Sequence, residues 1–574
     1  MTWTSSIPGV RALAEYQPSW LRRDAVAGIV LTTLLVPQGM AYAELAGLPA
    51  ITGLYTTILC LIGYALLGPS RILVLGPDSS LGPMIAATIL PILGSNGSPA
   101  RAIVLASILA LLVGAIMILA GVAKLGFVAD LLSKPTQIGY MNGLALTILV
   151  GQLPKLFGFS IDASGLINEA KAFVNGLSAH EAVGAAAAIG LFSLLVILVL
   201  SRWLPKVPGV LVAVVLAIAA AGVFNLADHG VSLVGTLPSG FPPLTVPHPV
   251  SDLPLLLAGA LGIALVALTD TISTASSFAA RTGQEVNGNG EMIGIGAANV
   301  AAGLFQGFPV STSGSRTAVA EQAGAKTQVT GLVGAALIVM MLVFVPGLLK
   351  SLPNPTLAAV VIAASLSLAD IPGTLRLWRQ RRVEFLLSIA AFLGVALLGV
   401  LQGIAVAVGL SILNVFRRVW WPHQTTLGRV PGMPGYHDRE LHPEAEEIPG
   451  LVIFRFDAQL FFANSRTFRD QIRRLASADP RPRWIVIAAE PITDVDITAA
   501  DMLADLDSEL NAAGTSLVFA ELKEPVRAKL ERYELIGPLD PDHFFPTIEA
   551  AIEHFCDDTG ARWTRPVDLK APPV

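Results

Sequence analysis

Polar residues are spaced along the first 420 positions so that apolar runs of roughly membrane-crossing length follow one another at short intervals. A helical span needs about 20 apolar residues. Runs of this kind lie near 24–46, 50–68, 77–94, 102–122, 126–152, 182–201, 207–225, 253–280, 290–306, 311–325, 328–349, 355–371, 383–399 and 400–418. They predict about fourteen spans, of which the third (77–94) and the tenth (311–325) are short. Each short run opens with Gly and Pro and then a cluster of hydroxyls: Leu75-Gly-Pro-Asp-Ser-Ser-Leu-Gly-Pro83, and Gly307-Phe-Pro-Val-Ser-Thr-Ser-Gly-Ser-Arg316. Gly and Pro interrupt a helix, whereas Ser and Thr suit its first residues. Both short runs are third in a set of seven, and an odd number of spans per set makes the two repeats inverted. Matched interrupted helices in inverted halves point to a binding site near mid-membrane. Helix N-termini carry partial positive charge and free N–H groups, so the natural ligand is an anion.

From about residue 449 the pattern changes to alternation. Strands are predicted at 451–456, 484–488 and 517–522, and helices near 465–477, 499–513, 524–533 and 547–556. This is a small α/β domain at 449–557, followed by a tail at 558–574. Residues 421–448 carry Pro, Gly and charge and read as a linker; residues 1–23 read as an amphipathic lead-in. The membrane domain is then 24–420, with repeats at about 24–225 and 253–418, joined by a Pro-, Gly- and His-rich connection. That connection reads as extended structure outside the membrane.

Composition agrees. The chain has 574 residues, 53% hydrophobic and 14% charged, with a mean hydropathy of +0.66. That is a polytopic membrane protein. Gly (53) and Pro (39) are abundant, as in closely packed and broken helices. The net charge of -5 provides no basic patch for nucleic acid. The two cysteines, Cys60 and Cys556, make neither a disulfide framework nor a metal motif. His180, His229 and His248 show no metal-ligand spacing, Asn96 heads a chance-level sequon, and there is no Walker motif. No cofactor and no enzymatic activity are expected.

Basic residues orient the chain. Arg71, Lys124, Arg202, Lys206, Arg281, Lys326 and the cluster Arg376, Arg379, Arg381 and Arg382 fall in loops on one side, and Arg417 and Arg418 follow the last span on that side. Only Arg101, Lys155, Lys171 and Lys350 fall on the other. By the positive-inside rule the N-terminus and the α/β domain are cytoplasmic, in the cell (inner) membrane.

Several stretches together resemble the sulfate permease (SulP) family of anion transporters: Val36-Pro-Gln-Gly-Met-Ala-Tyr-Ala43, Gly76-Pro-Asp-Ser-Ser80, Gly283-Gln-Glu-Val-Asn287 and Phe308-Pro-Val-Ser-Thr-Ser-Gly-Ser-Arg-Thr317. In the soluble part they are joined by the segment from Pro449 to Asn464 and by Asp496-Ile-Thr498. The resemblance implies a seven-plus-seven inverted repeat, a C-terminal STAS domain and a homodimer. It also implies a substrate site between spans 3 and 10. Carried over, the site comprises Gln38 and Tyr42, one helical turn apart, with Ser79, Ser80, Ser313, Gly314, Ser315 and Arg316. Coupling candidates are Asp270 with Thr274, plus Asp78 and Glu44; an Asp-x-x-x-Thr pair holds sodium in some members, and others are proton-linked.

Each residue also has a structural alternative. Asp270 lies in an apolar run, where an ionisable group is by default functional. Asp78 reads equally as a helix cap or a coupling group, and Glu44 mainly as a structural residue near the outer end of span 1. Arg316 either neutralises the anion or pairs with Asp270 or Asp78. Thr498 resembles the phosphorylated position of anti-sigma-factor antagonists but reads more simply as a turn. The expected activity is secondary active transport of sulfate with protons. Sodium-dependent bicarbonate symport, chloride or dicarboxylate transport, and an uncoupled anion channel are the alternatives.

Overall fold

The structure is a computed structural model that describes residues 8–94, 97–127, 132–161, 163, 165–204, 207–245, 252–282 and 286–563. Asn96, Lys206, His248, Gln284, Glu285 and the end of the tail (564–574) lie outside the described residues, as does the side chain of Arg281. The chain divides into two compact units, Met1–Ile412 and Leu413–Val574.

The first unit is helical. Its elements are α1 (Pro8–Ala14), α2 (Leu21–Leu45), α3 (Ala50–Leu67), β1 (Leu75–Gly76), α4 (Gly82–Leu93), α5 (Pro99–Val122), α6 (Lys134–Leu156), α7 (Leu166–Ser178), α8 (Gly184–Trp203) and α9 (Gly209–Val223). Then come α10 (Leu253–Thr282), α11 (Gly288–Leu304), β2 (Ser311–Thr312), α12 (Gly314–Gln322), α13 (Val329–Phe344), α14 (Asn354–Leu368), α15 (Ile371–Gln380), α16 (Arg382–Leu393) and α17 (Val400–Trp420). A helix occupies each of the fourteen apolar runs. Among the described residues, however, only seven helices are long and apolar enough to cross a membrane, with α4, α9 and α13 shorter apolar helices. The nine residues of α12 rise only about 14 Å. Two segments read from sequence as loops are helical: α7, and α15, which carries Arg376 and Arg379.

Packing follows small residues. Helix α5 packs along α11, and the two meet where Gly114 faces Gly296; a Cβ on Gly114 would stand 2.7 Å from the Gly296 carbonyl oxygen. Only glycine lets two backbones approach so closely in an apolar medium. The pairs α2–α13, α3–α11 and α10–α5 extend this group, while α6 packs on α14 and α16, and α8 on α14 and α9.

Two buried carboxylates in this unit, Asp24 and Glu291, are each held by several donors. Asp24 is fully buried at the start of α2 and accepts from the Lys326 N–H (2.6 Å), the Thr327 N–H (3.2 Å) and hydroxyl (2.8 Å), and the Thr330 hydroxyl (3.1 Å). It thereby satisfies the free N–H groups at the α12–α13 turn. Glu291 accepts from the Tyr64 hydroxyl at 2.7 Å and from Ser70.

The second unit is a six-stranded sheet in the order β4-β3-β5-β6-β7-β8, built from β3 (Gln424–Arg429), β4 (Tyr436–Asp438), β5 (Leu451–Phe456), β6 (Trp484–Ala488), β7 (Ser516–Ala520) and β8 (Phe544–Phe545). Strands β5 to β8 are parallel, and β3 is antiparallel to both β4 and β5. Period-2 alternation divides the side chains between two cores. Phe454, Phe456, Ile485, Ile487, Leu517 and Phe519 face one core, which also takes residues of α18 (Ser465–Ala476), α19 (Ile497–Ala512) and α20 (Glu524–Arg532). Ile453, Val486, Ala488, Val518 and Ala520 face the other, with α21 (Ile548–Thr559).

Two boundaries need correction. Residues 421–448 are no mere linker, because β3 and β4 lie within them and complete the sheet edge. The tail does not begin at 558: α21 runs to Thr559, and Trp563 stacks on Tyr436 with Arg429 4.8 Å from its ring. Polar residues on an edge hairpin give no apolar alternation, so the pattern alone does not reveal it.

Candidate functional site

The two interrupted segments meet. β1 and β2 pair antiparallel, with Leu75 opposite Thr312 and Gly76 opposite Ser311. The ladder continues as the Ser313 N–H donates to the Val74 carbonyl (3.0 Å) and the Val74 N–H to the Thr317 hydroxyl (3.0 Å). Pro77 and Pro309 prevent either segment from continuing as helix, so its peptide groups need partners from elsewhere. Each segment supplies them to the other. Thr56 and Asn299 hold the incoming loop: Phe308 N–H donates to Thr56 Oγ1 (3.1 Å) and Val310 N–H to Asn299 Oδ1 (3.0 Å).

Arg316 occupies the centre. Its side chain is 1% exposed; Nη2 donates to the Pro77 carbonyl at 2.6 Å and lies 3.7 Å from Asp78 Oδ1. Of the two partners open to it, the guanidinium therefore takes Asp78 and not Asp270. Among the described residues its Nε and Nη1 are buried without hydrogen-bond partners. Gly76 makes room for it, since a Cβ there would stand 2.4 Å from Nη1.

Asp78 is not a simple helix cap. It folds back on its own turn, accepting from the Ser80 N–H (2.9 Å) and hydroxyl (2.6 Å), while α4 starts only at Gly82. The same Ser80 Oγ lies 3.0 Å from Asp270 Oδ2. One hydroxyl thus bridges two carboxyl groups, one from the first half of the chain and one from α10.

The first turn of α12 is open. Ser313 caps it through the Arg316 N–H (3.5 Å) and contacts the Ser315 hydroxyl (3.2 Å), while Gly314 and Ser315 are exposed. Thr274 Oγ1 lies 3.8 Å from where a Cβ on Gly314 would be. Tyr42 is buried with Ser79 beside its hydroxyl, and Gln38 is partly exposed one turn earlier on α2. Ser79, Ser80, Asp78, Asp270, Ser313, Arg316 and Tyr42 are therefore joined by successive contacts into one group. Thr274 stands at the α12 end of it and shares no hydrogen bond with Asp270 among those found. Glu44 is elsewhere: its main-chain oxygen accepts from Lys155 at 3.3 Å.

Hydroxyls that the sequence reading left out complete the frame. Thr312 donates to Thr271 on α10 (3.1 Å), and Thr317 anchors Val74. The adjacency of Thr271 to Asp270 was the available signal. In the soluble unit, Thr498 is exposed in the first turn of α19, which Asp496 caps through the Ala499 N–H (2.8 Å). Asn287 of the 283–287 motif caps α11 through the Gly290 N–H (3.0 Å).

Two interrupted segments that pair inside an apolar helical unit, with buried N–H donors beside them, are the arrangement expected of a membrane anion transporter. The sulfate permease family profile matches residues 21–391, and the STAS domain profile matches 442–551. A probable sulfate transporter of Mycobacterium tuberculosis is 42% identical over 557 residues, 97% of this chain and 99% of that one. A probable sulfate transporter of Arabidopsis thaliana is 30% identical over 568 residues, 94% of this chain and 89% of the relative. The fold is also that of murine solute carrier 26 member A9, an anion transporter solved in an inward-facing state (TM-score 0.86, 24% identity, 96% of this chain and 94% of that one). The transmembrane domain of a cyanobacterium bicarbonate transporter, BicA, aligns with a TM-score of 0.60 at 22% identity, over 69% of this chain and 98% of that one. The chain belongs to the sulfate permease family, with a C-terminal STAS domain.

Proposed function

We propose that this protein is a secondary active transporter that carries sulfate with protons across the cell membrane. Its relatives' names support sulfate, and the exposed first turn of α12 beside Arg316 supports an anion there. The observation that carries the coupling is the Ser80 bridge. A serine hydroxyl has one proton to donate. It can donate to only one of Asp78 (2.6 Å) and Asp270 (3.0 Å) at a time, so both contacts are complete when one carboxyl group carries a proton; Asp78 lies beside Arg316, and we assign the proton to Asp270. Two unit charges about 4 Å apart repel by about 4 kcal/mol at an effective dielectric of about 20. Neutralising Asp270 removes that repulsion from an arriving anion, which is close to a thousandfold in affinity.

In this reading the anion accepts hydrogen bonds from the first N–H groups of α12, the Ser313 and Ser315 hydroxyls and the free guanidinium N–H groups. The helices around α3, α5 and α11 move as one body against those around α6 and α14, exposing the site to each side in turn. The basic-residue asymmetry supports a cytoplasmic N-terminus and STAS domain, and the family resemblance supports a homodimer.

The test is uptake of labelled sulfate by purified protein in proteoliposomes, with imposed proton or sodium gradients. Sulfate accumulation driven by an inward proton gradient is expected. Accumulation that follows sodium and bicarbonate instead, and is lost in Asp270→Asn, would reject proton–sulfate coupling. Passive sulfate current indifferent to either gradient would make the protein a channel.

A further inference from the structure

One buried amide ties the sheet of the second unit to the end of α17. Asn464, 0% exposed in the loop after β5, donates to the Val419 carbonyl at 3.3 Å and to the Gln459 carbonyl at 2.8 Å. Its Oδ1 accepts from the Phe461 N–H (3.0 Å), so the loop is wound around this side chain. Val419 belongs to the last turn of α17, whose carbonyls have no partner inside the helix. Helix α17 is long and apolar enough to cross a membrane and ends at Trp420. The turn that Asn464 touches is therefore where the helix leaves the lipid, and the 457–464 loop lies at that level.

What the loop exposes there is apolar. Phe462 is 66% exposed, although Ala463 and Asn464 beside it are buried. Its N–H donates to Asp496 Oδ2 (2.9 Å), the cap of α19, and the next residue of that helix, Ile497, is 62% exposed. Phe462 lies two residues from Asn464, so at most about 7 Å of chain separates it from the anchor on α17. On α17 itself Phe416, Trp420 and Trp421 are exposed. Exposed basic side chains flank these groups: Arg417 and Arg418 in the last turn of α17, and Arg466 in the first turn of α18.

Aromatic and basic side chains around a helix end are the composition of a membrane–water interface. We propose that the 457–464 loop and the start of α19 rest on the bilayer surface, with Phe462 and Ile497 among the lipid headgroups and Arg417, Arg418 and Arg466 against anionic ones. Lipid is favoured over a protein partner because the patch is continuous with a helix that crosses the membrane. Basic side chains at that level are drawn to anionic headgroups. The second unit is then held by the membrane surface as well as by the chain at 421–423. The inference rests on α17 crossing the bilayer and is independent of which ion is carried.

The test places a thiol-reactive fluorophore at one position at a time in the full-length protein, in a Cys556→Ser background with Cys60 buried. The positions are Phe462→Cys, Ile497→Cys and, as a reference, Ala512→Cys, which is exposed about 22 Å farther along α19. In proteoliposomes, lipids spin-labelled just below the headgroup are expected to quench about half of the emission at 462 and 497 and little at 512, as for groups about 5–10 Å deep. Iodide in the water should show the reverse order. Ile497→Cys reads the same surface if Phe462→Cys does not fold. Labels at 462 and 497 that iodide reaches as easily as the one at 512, and that lipid does not quench, overturn the proposal. Labels shielded from both quenchers, with position 462 crosslinking to a second copy, assign the patch to a protein interface and overturn it as well.

Discussion

Arg316 reaches from one broken helix to the main-chain carbonyl of Pro77 on the other, at 2.6 Å. This contact joins a side chain from the second half of the membrane unit to the backbone of the first. It also fixes which face of the guanidinium is spent on structure, and leaves Nε and Nη1 without a hydrogen-bond partner among the described residues.

Replacing Arg316 by Lys keeps the charge but not the fork. A single ammonium cannot hold Pro77 and Asp78 and still present two further donors. Sulfate uptake is expected to fall about 10- to 100-fold, matching one charge-assisted hydrogen bond of about 1.5–3 kcal/mol. Uptake kinetics in proteoliposomes measure this; a lysine variant with wild-type uptake would show that the fork is not used.

Gly76→Ala tests the same geometry from the opposite side. The added Cβ would stand 2.4 Å from Arg316 Nη1, so the guanidinium must leave its place. Uptake is expected to be largely lost, whereas Gly222→Ala on α9, with nothing within 4 Å of its Cβ, leaves uptake unchanged. Equal behaviour of the two variants would contradict the crossing seen here.

Asp24 carries a prediction about stability. Asparagine in its place keeps one acceptor oxygen for the Oδ1 bonds but puts an NH2 group where Oδ2 accepted from the Thr327 hydroxyl, and it removes the charge that strengthens every bond to this site. The cost is expected to be at least about 2 kcal/mol. Thermal unfolding in detergent reads it as a lower midpoint, and an unchanged midpoint would mean that this cap does not bind α2 to α13.

The second unit has its own pH dependence. The Thr425 hydroxyl (2.6 Å), the Glu440 N–H (2.8 Å) and His423 (3.0 Å) hold the Asp438 carboxyl below the usual carboxylate value, against the opposing effect of burial. A depressed folded-state value contributes stability that is fully present above about pH 4 and lost as pH falls through the folded value. Amide exchange in 424–438 of the full-length chain, corrected for intrinsic rates, is expected to quicken below about pH 4. In Asp438→Asn that acid-dependent step should vanish; its persistence would assign it to another group.

Much of this was readable beforehand. The apolar runs found the helices because lipid-facing and buried residues are both apolar, and the Gly-Pro breaks found the site because proline forbids helix there. Ser80, Asp78, Asp270 and Arg316 were all named. What the runs did not reveal was how they pair. Whether Arg316 chooses Asp78 or Asp270 depends on a strand register between Leu75 and Thr312, and no local pattern encodes a contact so distant in sequence. The hairpin at 424–438 escaped because its polar edge carries no alternation.

The β1–β2 pairing has a consequence for biosynthesis. While the ribosome has made only the first repeat, the peptide groups at 74–77 have no partner, because the residues that satisfy them are near 311–317. Unpaired peptide groups in lipid cost several kcal/mol each. The binding site is therefore a late product of synthesis, and a chain released before β2 has emerged holds an open backbone wound rather than half a transporter.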